Sequence, residues 1–206
     1  MAWTGSAAVK HLVIYDLDGT LVDTRKDLVH ANAYVRARLG AEPQRILKGN
    51  DPKLVEKVEA LFSTYYVHHA YEHSQLYPGA QQLLDYFNGR TQAVFTERPN
   101  PFARDLLEAL GILSYFLDII AGDSPYPRKP HPAGALALMA KVGVRPEDTL
   151  LIGDSPTDIE TGRSAGLFTI AVSHGMTPTA ALRQAAPDVL AEDFAHLLKL
   201  ARRYDW

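Results

Sequence analysis

Five short apolar runs set the strongest limit on this chain: residues 12–15, 92–95, 117–121, 150–152 and 168–172. Each is partly β-branched or aromatic and is bounded by Gly, Asp, Pro or Thr, and none alternates as a strand with one wet face would. Runs apolar on both faces suit a parallel sheet covered by helices on both sides. Helical patterns at 80–87, 101–110, 132–142 and 157–165 lie between them. Gly89, Gly111, Gly143 and Gly166 stand just past their ends, where left-handed C-cap residues are expected. Strand alternating with helix predicts an α/β, doubly wound, Rossmann-like fold.

One stretch breaks that rhythm. Residues 24–76 carry no strand signal, only helical spacing: Leu28, Ala31, Val35 and Leu39 in one segment, and Leu54, Val58, Leu61, Phe62 and Tyr65 in another. A Pro-, Gly- and polar-rich stretch, 40–52, separates them. This reads as a small helical cap inserted after the first strand, with 1–23 and 77–206 forming the core domain. A chain of 206 residues, 47% hydrophobic and 22% charged, is long enough for such a globular core with an insert. The net charge of −3 gives no overall basic field, so neither nucleic acid nor an anionic membrane is an expected partner. The absence of cysteine excludes disulfides, thiolate metal sites and cysteine nucleophiles. The first ten residues are small and polar and do not read as a secretory signal. No run approaches the ~18 apolar residues of a membrane span. The cytoplasm is the expected location.

In open α/β sheets, ligands bind beyond the carboxyl ends of the strands. The first strand ends in Asp16-Leu17-Asp18-Gly19-Thr20, and the 150–152 strand in Gly153-Asp154-Ser155-Pro156-Thr157-Asp158. Either cluster alone could be a turn or helix cap, where Asp is favoured. If the two strands are parallel neighbours, three or four of Asp16, Asp18, Asp154 and Asp158 converge. Carboxylates brought together repel one another unless a cation joins them, and Mg²⁺ suits a few carboxylates, a phosphate and water. Two other positions add complementary groups. Thr96 offers a hydroxyl and a following backbone N–H, and Lys129, in Arg128-Lys129-Pro130-His131-Pro132, offers a cation flanked by prolines. A carboxylate nucleophile, a divalent metal, a hydroxyl donor and a lysine are the parts needed for phosphoryl transfer through an acyl-phosphate.

These pieces, in this order, resemble the haloacid dehalogenase superfamily of phosphatases over residues 11–175. Its first motif appears as Asp16-Leu17-Asp18-Gly19-Thr20-Leu21-Val22-Asp23, its second as Thr96, its third as Lys129 and its fourth as Gly153-Asp154-Ser155-Pro156-Thr157-Asp158. The resemblance implies that Asp16 attacks phosphorus. It implies that Asp18 protonates the leaving group, then activates water, and lends a backbone carbonyl to the metal. Thr96 and Lys129 would hold the phosphoryl group, with Gly19 and the residue after Thr96 lining its site. Asp154 would ligate Mg²⁺, and Asp158 would act on the metal through water or at a second remove. The place of the insert and the phrase Tyr77-Pro78-Gly79 resemble the phosphoglycolate phosphatase-like branch, which implies hydrolysis of a small phosphomonoester. A phosphomutase of the same fold, or a weakly catalytic binding or regulatory member, is the alternative. The expected assembly is a monomer or a homodimer.

Three features depart from that branch. Glu97 stands where the family usually has Asn, with Arg98 beside it as a candidate counter-ion. A carboxylate aimed at the site would disfavour anionic leaving groups. The cap is shorter than usual, and its Lys48-Gly49-Asn50 turn only loosely resembles the usual specificity loop. Elsewhere, His68, His69 and His73 are expected on one cap helix, where the i, i+4 pair His69 and His73 could bind zinc but a solvated face is favoured. The aromatic group Phe62, Tyr65, Tyr66, Tyr71 and Tyr77 is expected to pack, and His174 to sit in a rim loop.

Overall fold

A computed structural model describes residues 10–48, 51–69 and 71–206 of the chain. In chain order the elements are β1 (Leu12–Tyr15), β2 (Val22–Asp23), α1 (Arg25–Leu39), α2 (Pro43–Lys48), α3 (Pro52–His69) and β3 (Gln75–Leu76). They continue with α4 (Ala80–Tyr86), β4 (Thr91–Phe95), α5 (Phe102–Ala109), β5 (Phe116–Ile120), α6 (Ala133–Val142) and β6 (Thr149–Gly153). The chain closes with α7 (Pro156–Ala165), β7 (Phe168–Val172), α8 (Thr179–Ala185), β8 (Val189–Ala191) and α9 (Phe194–Tyr204). These elements fall into two compact units, one running to Asp23 and resuming over Leu76–Trp206, the other spanning Thr24–Gln75.

The first unit is the α/β body. Its six-stranded sheet has the order β5-β4-β1-β6-β7-β8, and each pairing is parallel. Every residue of β1 and β6 is buried, the outcome expected of strands apolar on both faces. On one face Leu12 and Ile14 join Ala135 and Leu138 of α6 in a core cluster. On the other, the Tyr15 hydroxyl donates to Gln92 Oε1 at 2.8 Å, and Gln92 Nε2 donates to the Leu84 carbonyl of α4 at 3.1 Å. That relay satisfies polar atoms that would otherwise be costly inside a core. The strand order reverses beside β1, so the crevice between β1 and β6 is the topological switch point where such sheets bind ligands.

The five anticipated strands form, each within a residue or so of its sequence bounds, whereas the short β8 escapes periodicity altogether. Gly143 and Gly166 are left-handed C-caps of α6 and α7. Gly111 is also left-handed but lies one residue beyond the cap of α5, Leu110. Gly89 is a correction: α4 ends at Tyr86 with Phe87 as its cap, and Gly89 is not left-handed.

The second unit holds α1, α2 and α3. α2 falls inside the Pro-, Gly- and polar-rich stretch that separates the two anticipated helices. Gly49 and Asn50 of the anticipated specificity turn lie outside the described residues. α1 buries Asp27, Ala31 and Val35, and α3 buries Val58 and Tyr66. α3 ends at His69, so His73 is not on the helix that carries His68 and His69. No helix among the described residues is long and apolar enough to cross a membrane.

Candidate active site

Parallel pairing of β1 with β6 sets Tyr15 level with Ile152, so the residues leaving both strands emerge side by side. Asp16 follows β1 directly, and its N–H donates to the Ile152 carbonyl at 2.9 Å. Asp154 follows β6. Asp158 sits in the first turn of α7, whose N-cap Ser155 forms a reciprocal capping box with it. Oxygen atoms of Asp16, Asp154 and Asp158 all lie within 4.8 Å of one another.

Lys129 is the cation in this group. Its Nζ donates to Asp16 Oδ1 at 2.9 Å and to Asp158 Oδ1 at 2.5 Å, and it lies 5.4 Å from the centre of the Phe95 ring. Its side chain is almost fully buried. Burial alone would lower its pKa, but Asp158 and Asp16 outweigh that and raise it, so Lys129 stays charged. Burial pushes the Asp16 carboxyl well above the usual carboxylate range, against the opposing pull of Lys129, with Asp158 and Asp154 adding to the rise. Burial likewise lifts Asp154 to about 6. Its Oδ2 accepts the Met176 N–H at 2.7 Å and its Oδ1 the Thr20 hydroxyl at 3.1 Å. Asp158 Oδ2 accepts both the N–H and the hydroxyl of Ser155, at 3.1 and 2.6 Å.

Gly19 keeps space open against this cluster. It holds φ +87°, and a Cβ there would stand 2.5 Å from Asp154 Oδ2. An all-oxygen donor set with two acids of raised pKa, kept clear of side-chain carbon on one side, fits a hard divalent cation.

Thr96 follows β4 and is buried. Its N–H donates to the Ile120 carbonyl at 2.9 Å, and its Oγ1 accepts the Arg98 N–H at 3.1 Å. Arg98 is where sequence reasoning falls short. It does not pair with Glu97. Its guanidinium grips Asp18, with Nη2 at 2.6 Å from Oδ1 and Nε at 3.2 and 3.1 Å from Oδ1 and Oδ2. Glu97 turns to the Lys129 segment, where Oε1 accepts the Lys129 N–H at 3.0 Å and Oε2 lies 3.6 Å from Arg128 Nη1. The sequence signal for Arg98 is its place two residues after Thr96, at the same strand tip. A cavity of about 520 Å³ lies elsewhere, between β5 and α6 around Asp118, Tyr126 and Lys141, and holds none of these acids.

The haloacid dehalogenase-like hydrolase family model matches residues 13–172. The chain belongs to this family. It is 32% identical over 210 residues to a phosphoglycolate phosphatase of Yersinia pseudotuberculosis, covering 90% of each protein. It is 31% identical over 215 residues to phosphoglycolate phosphatase 1 of Pseudomonas aeruginosa, covering 92% of this chain and 79% of that protein. Among solved structures, a predicted phosphoglycolate phosphatase of Haemophilus somnus superposes with a TM-score of 0.83 at 27% identity, covering 93% of this chain and 98% of that one. A predicted phosphatase of Clostridium acetobutylicum shares the fold, with a TM-score of 0.86 at 19% identity over 95% of this chain and all of that one.

The remaining sequence candidates are structural in character. His69 Nδ1 lies 3.0 Å from Glu72 Oε1, and His73 Nδ1 lies 3.1 Å from Asp27 Oδ1, so the two imidazoles take different carboxylate partners. His174 lies in the loop after β7, as expected. Its Nε2 contacts the Thr20 carbonyl at 3.0 Å, and its ring lies between those of Tyr77 and Phe194.

Proposed function

We propose that this protein is a Mg²⁺-dependent phosphatase that hydrolyses a small phosphomonoester through an aspartyl-phosphate on Asp16. The observation that carries this reading is the buried Lys129 ammonium bridging Asp16 and Asp158 beside Asp154. Asp16 and Asp154, with the main-chain carbonyl of Asp18, would hold Mg²⁺. Bound there, Mg²⁺ offsets phosphoryl charge and lets one anion approach another. Asp158 contributes at a second remove, by holding Lys129 and closing the turn at Ser155.

In this mechanism an Asp16 carboxylate oxygen attacks phosphorus, and the bond from phosphorus to the leaving oxygen breaks. Asp18 gives that oxygen its proton. Asp18 then takes a proton from water, which attacks phosphorus, releases inorganic phosphate and regenerates the Asp16 carboxylate. Lys129, the Thr96 hydroxyl and the N–H groups following Thr96 and Asp18 hold the phosphoryl oxygens. Phosphoglycolate is the first substrate to try, because it names the activity of the curated relatives, and the protein would act on it in the cytoplasm.

The test is hydrolysis of p-nitrophenyl phosphate with Mg²⁺ or with EDTA, followed by a panel of phosphoglycolate, pyrophosphate, nucleoside monophosphates and sugar phosphates. Turnover that persists in EDTA or in Asp16→Asn would sink the mechanism.

A further inference from the structure

Glu97 and Arg98 are adjacent, opposite in charge, and reach in opposite directions from one strand tip. Glu97 takes the backbone N–H of Lys129, 32 residues ahead, and Arg98 takes the carboxylate of Asp18, 80 residues behind. We propose that the pair is a positioning clamp: one short segment after β4 fixes both the lysine loop and the acid–base loop. The inference rests on the phosphatase reading of Asp18 and Lys129. It goes beyond that reading by giving roles to two side chains that neither attack phosphorus nor hold it.

The anchorage of the segment supports this. The Arg98 N–H is held by Thr96 Oγ1 at 3.1 Å, and its carbonyl accepts the Gly122 N–H at 3.0 Å. Gly122 lies so close that a Cβ there would stand 2.1 Å from the Glu97 carbonyl oxygen. The backbone beneath both side chains is therefore pinned between the ends of β4 and β5. On that base, the Arg98 side chain is only 5% exposed and meets Asp18 through two donor nitrogens. A guanidinium fork bound this way fixes the plane of its carboxylate, which a single ammonium does not. Glu97 acts on the main chain. By accepting the Lys129 N–H it sets where the Lys129 side chain starts, and hence its reach to Asp16 and Asp158. Glu97 is thus a loop anchor and does not sit as a charge against the leaving group.

Four variants test the clamp: Arg98→Ala, Arg98→Lys, Glu97→Ala and Glu97→Gln, assayed on p-nitrophenyl phosphate with Mg²⁺ beside wild type and Asp16→Asn. Small misplacement of reacting groups costs up to about 10²-fold. Arg98→Ala should lower kcat by about that factor with KM nearly unchanged, and Arg98→Lys should recover only part. Added guanidinium chloride at millimolar concentration should restore turnover to Arg98→Ala alone. Glu97→Ala should lower kcat about tenfold, and Glu97→Gln, which keeps an acceptor for the Lys129 N–H, should restore it. Active wild type, inactive Asp16→Asn and alanine variants within about twofold of wild type would overturn the clamp and leave the phosphatase reading standing. Failure of wild type to hydrolyse any phosphate on the panel would overturn that reading instead. The clamp is then read without turnover, from the Arg98 Nε–H resonance of ¹⁵N-labelled wild type. Slow exchange that is lost in Asp18→Asn supports the pairing, and exchange as fast as an exposed arginine's overturns it.

Discussion

The α/β body and the helical insert bury their residues in different ways. In the body, whole strands vanish from solvent: Leu12, Val13, Ile14 and Tyr15 are all fully buried, and each such side chain contributes about 1.5–3 kcal/mol. In the insert the buried apolar seam is thin, with Ala31, Val35, Val58 and Tyr66, while Val29 and Val67 stay more than 60% exposed. The insert adds a polar tie. The buried Asp27 carboxylate accepts the backbone N–H of His73, faces His73 Nδ1 at 3.1 Å, and takes the Ser74 hydroxyl at 2.6 Å. So the body gathers its acids in a cluster bridged by Lys129, whereas the insert holds its buried acid in a hydrogen-bonded staple. In the proposed mechanism the body carries the chemistry, and the thinner seam of the insert predicts a lower cost of local opening there.

The sharpest way to probe that division is Asp16→Asn. It should lower kcat on an aryl phosphate by roughly 10⁴-fold or more, as loss of a nucleophile does elsewhere. The hydrogen-exchange protection of the insert should not change. A variant that kept a tenth of the wild-type rate would show that the body's chemistry does not run through Asp16.

Next comes pH. Asp154 is lifted by burial from 3.8 to about 6, so the folded protein holds a proton there that the unfolded chain releases. Between about pH 4 and 6 the folded state binds more protons, and metal-free stability from this group falls as pH rises. At 1.36 kcal/mol per pH unit the loss is about 3 kcal/mol by neutral pH. Urea midpoints in EDTA should therefore decline across that window. Mg²⁺ at pH 7 should recover much of the difference, and Asp154→Asn should make the profile shallower, leaving the part that the raised Asp16 carboxyl supplies. A profile in EDTA as flat as that of Asp154→Asn would show that the cluster needs no cation.

The insert's counterpart is Asp27→Ala. It leaves the His73 N–H and the Ser74 hydroxyl without their acceptor, a loss of about 1–3 kcal/mol. The prediction is faster amide exchange across α1 and α3 with protection of β1 and β6 retained. Equal loosening of both units would erase the distinction between them.

Much of this is legible in the chain. Strands 12–15 and 168–172 are plain because both faces have to be apolar, and the acids stand at the strand ends where a parallel sheet presents them. What stays hidden depends on reach across space. Arg98 finds Asp18 rather than its neighbour Glu97 because the segment after β4 is pinned, and pinning by Gly122 leaves no local pattern. His73 reads as helical because spacing alone does not reveal that α3 ends at His69. β8 has three residues, too few for any periodicity to register.

The smallest effects belong to exposed ion pairs, and one from each unit makes the comparison. Arg36 and Glu42 of the insert meet at 2.9 Å, and Lys141 and Asp118 of the body at 2.7 Å. All four side chains are about a third exposed or more, so water screens each pair and the side-chain entropy of holding it offsets most of the attraction. Arg36→Ala and Lys141→Ala should each move the urea unfolding free energy by less than about 0.5 kcal/mol. The two shifts should also be alike, because surface charge does not distinguish the units; buried apolar area and buried acids do. A shift above about 1 kcal/mol for Arg36→Ala alone would mean that a surface pair holds the insert together. Its stability would then have to be sought at its surface rather than in Asp27 and the seam beneath it.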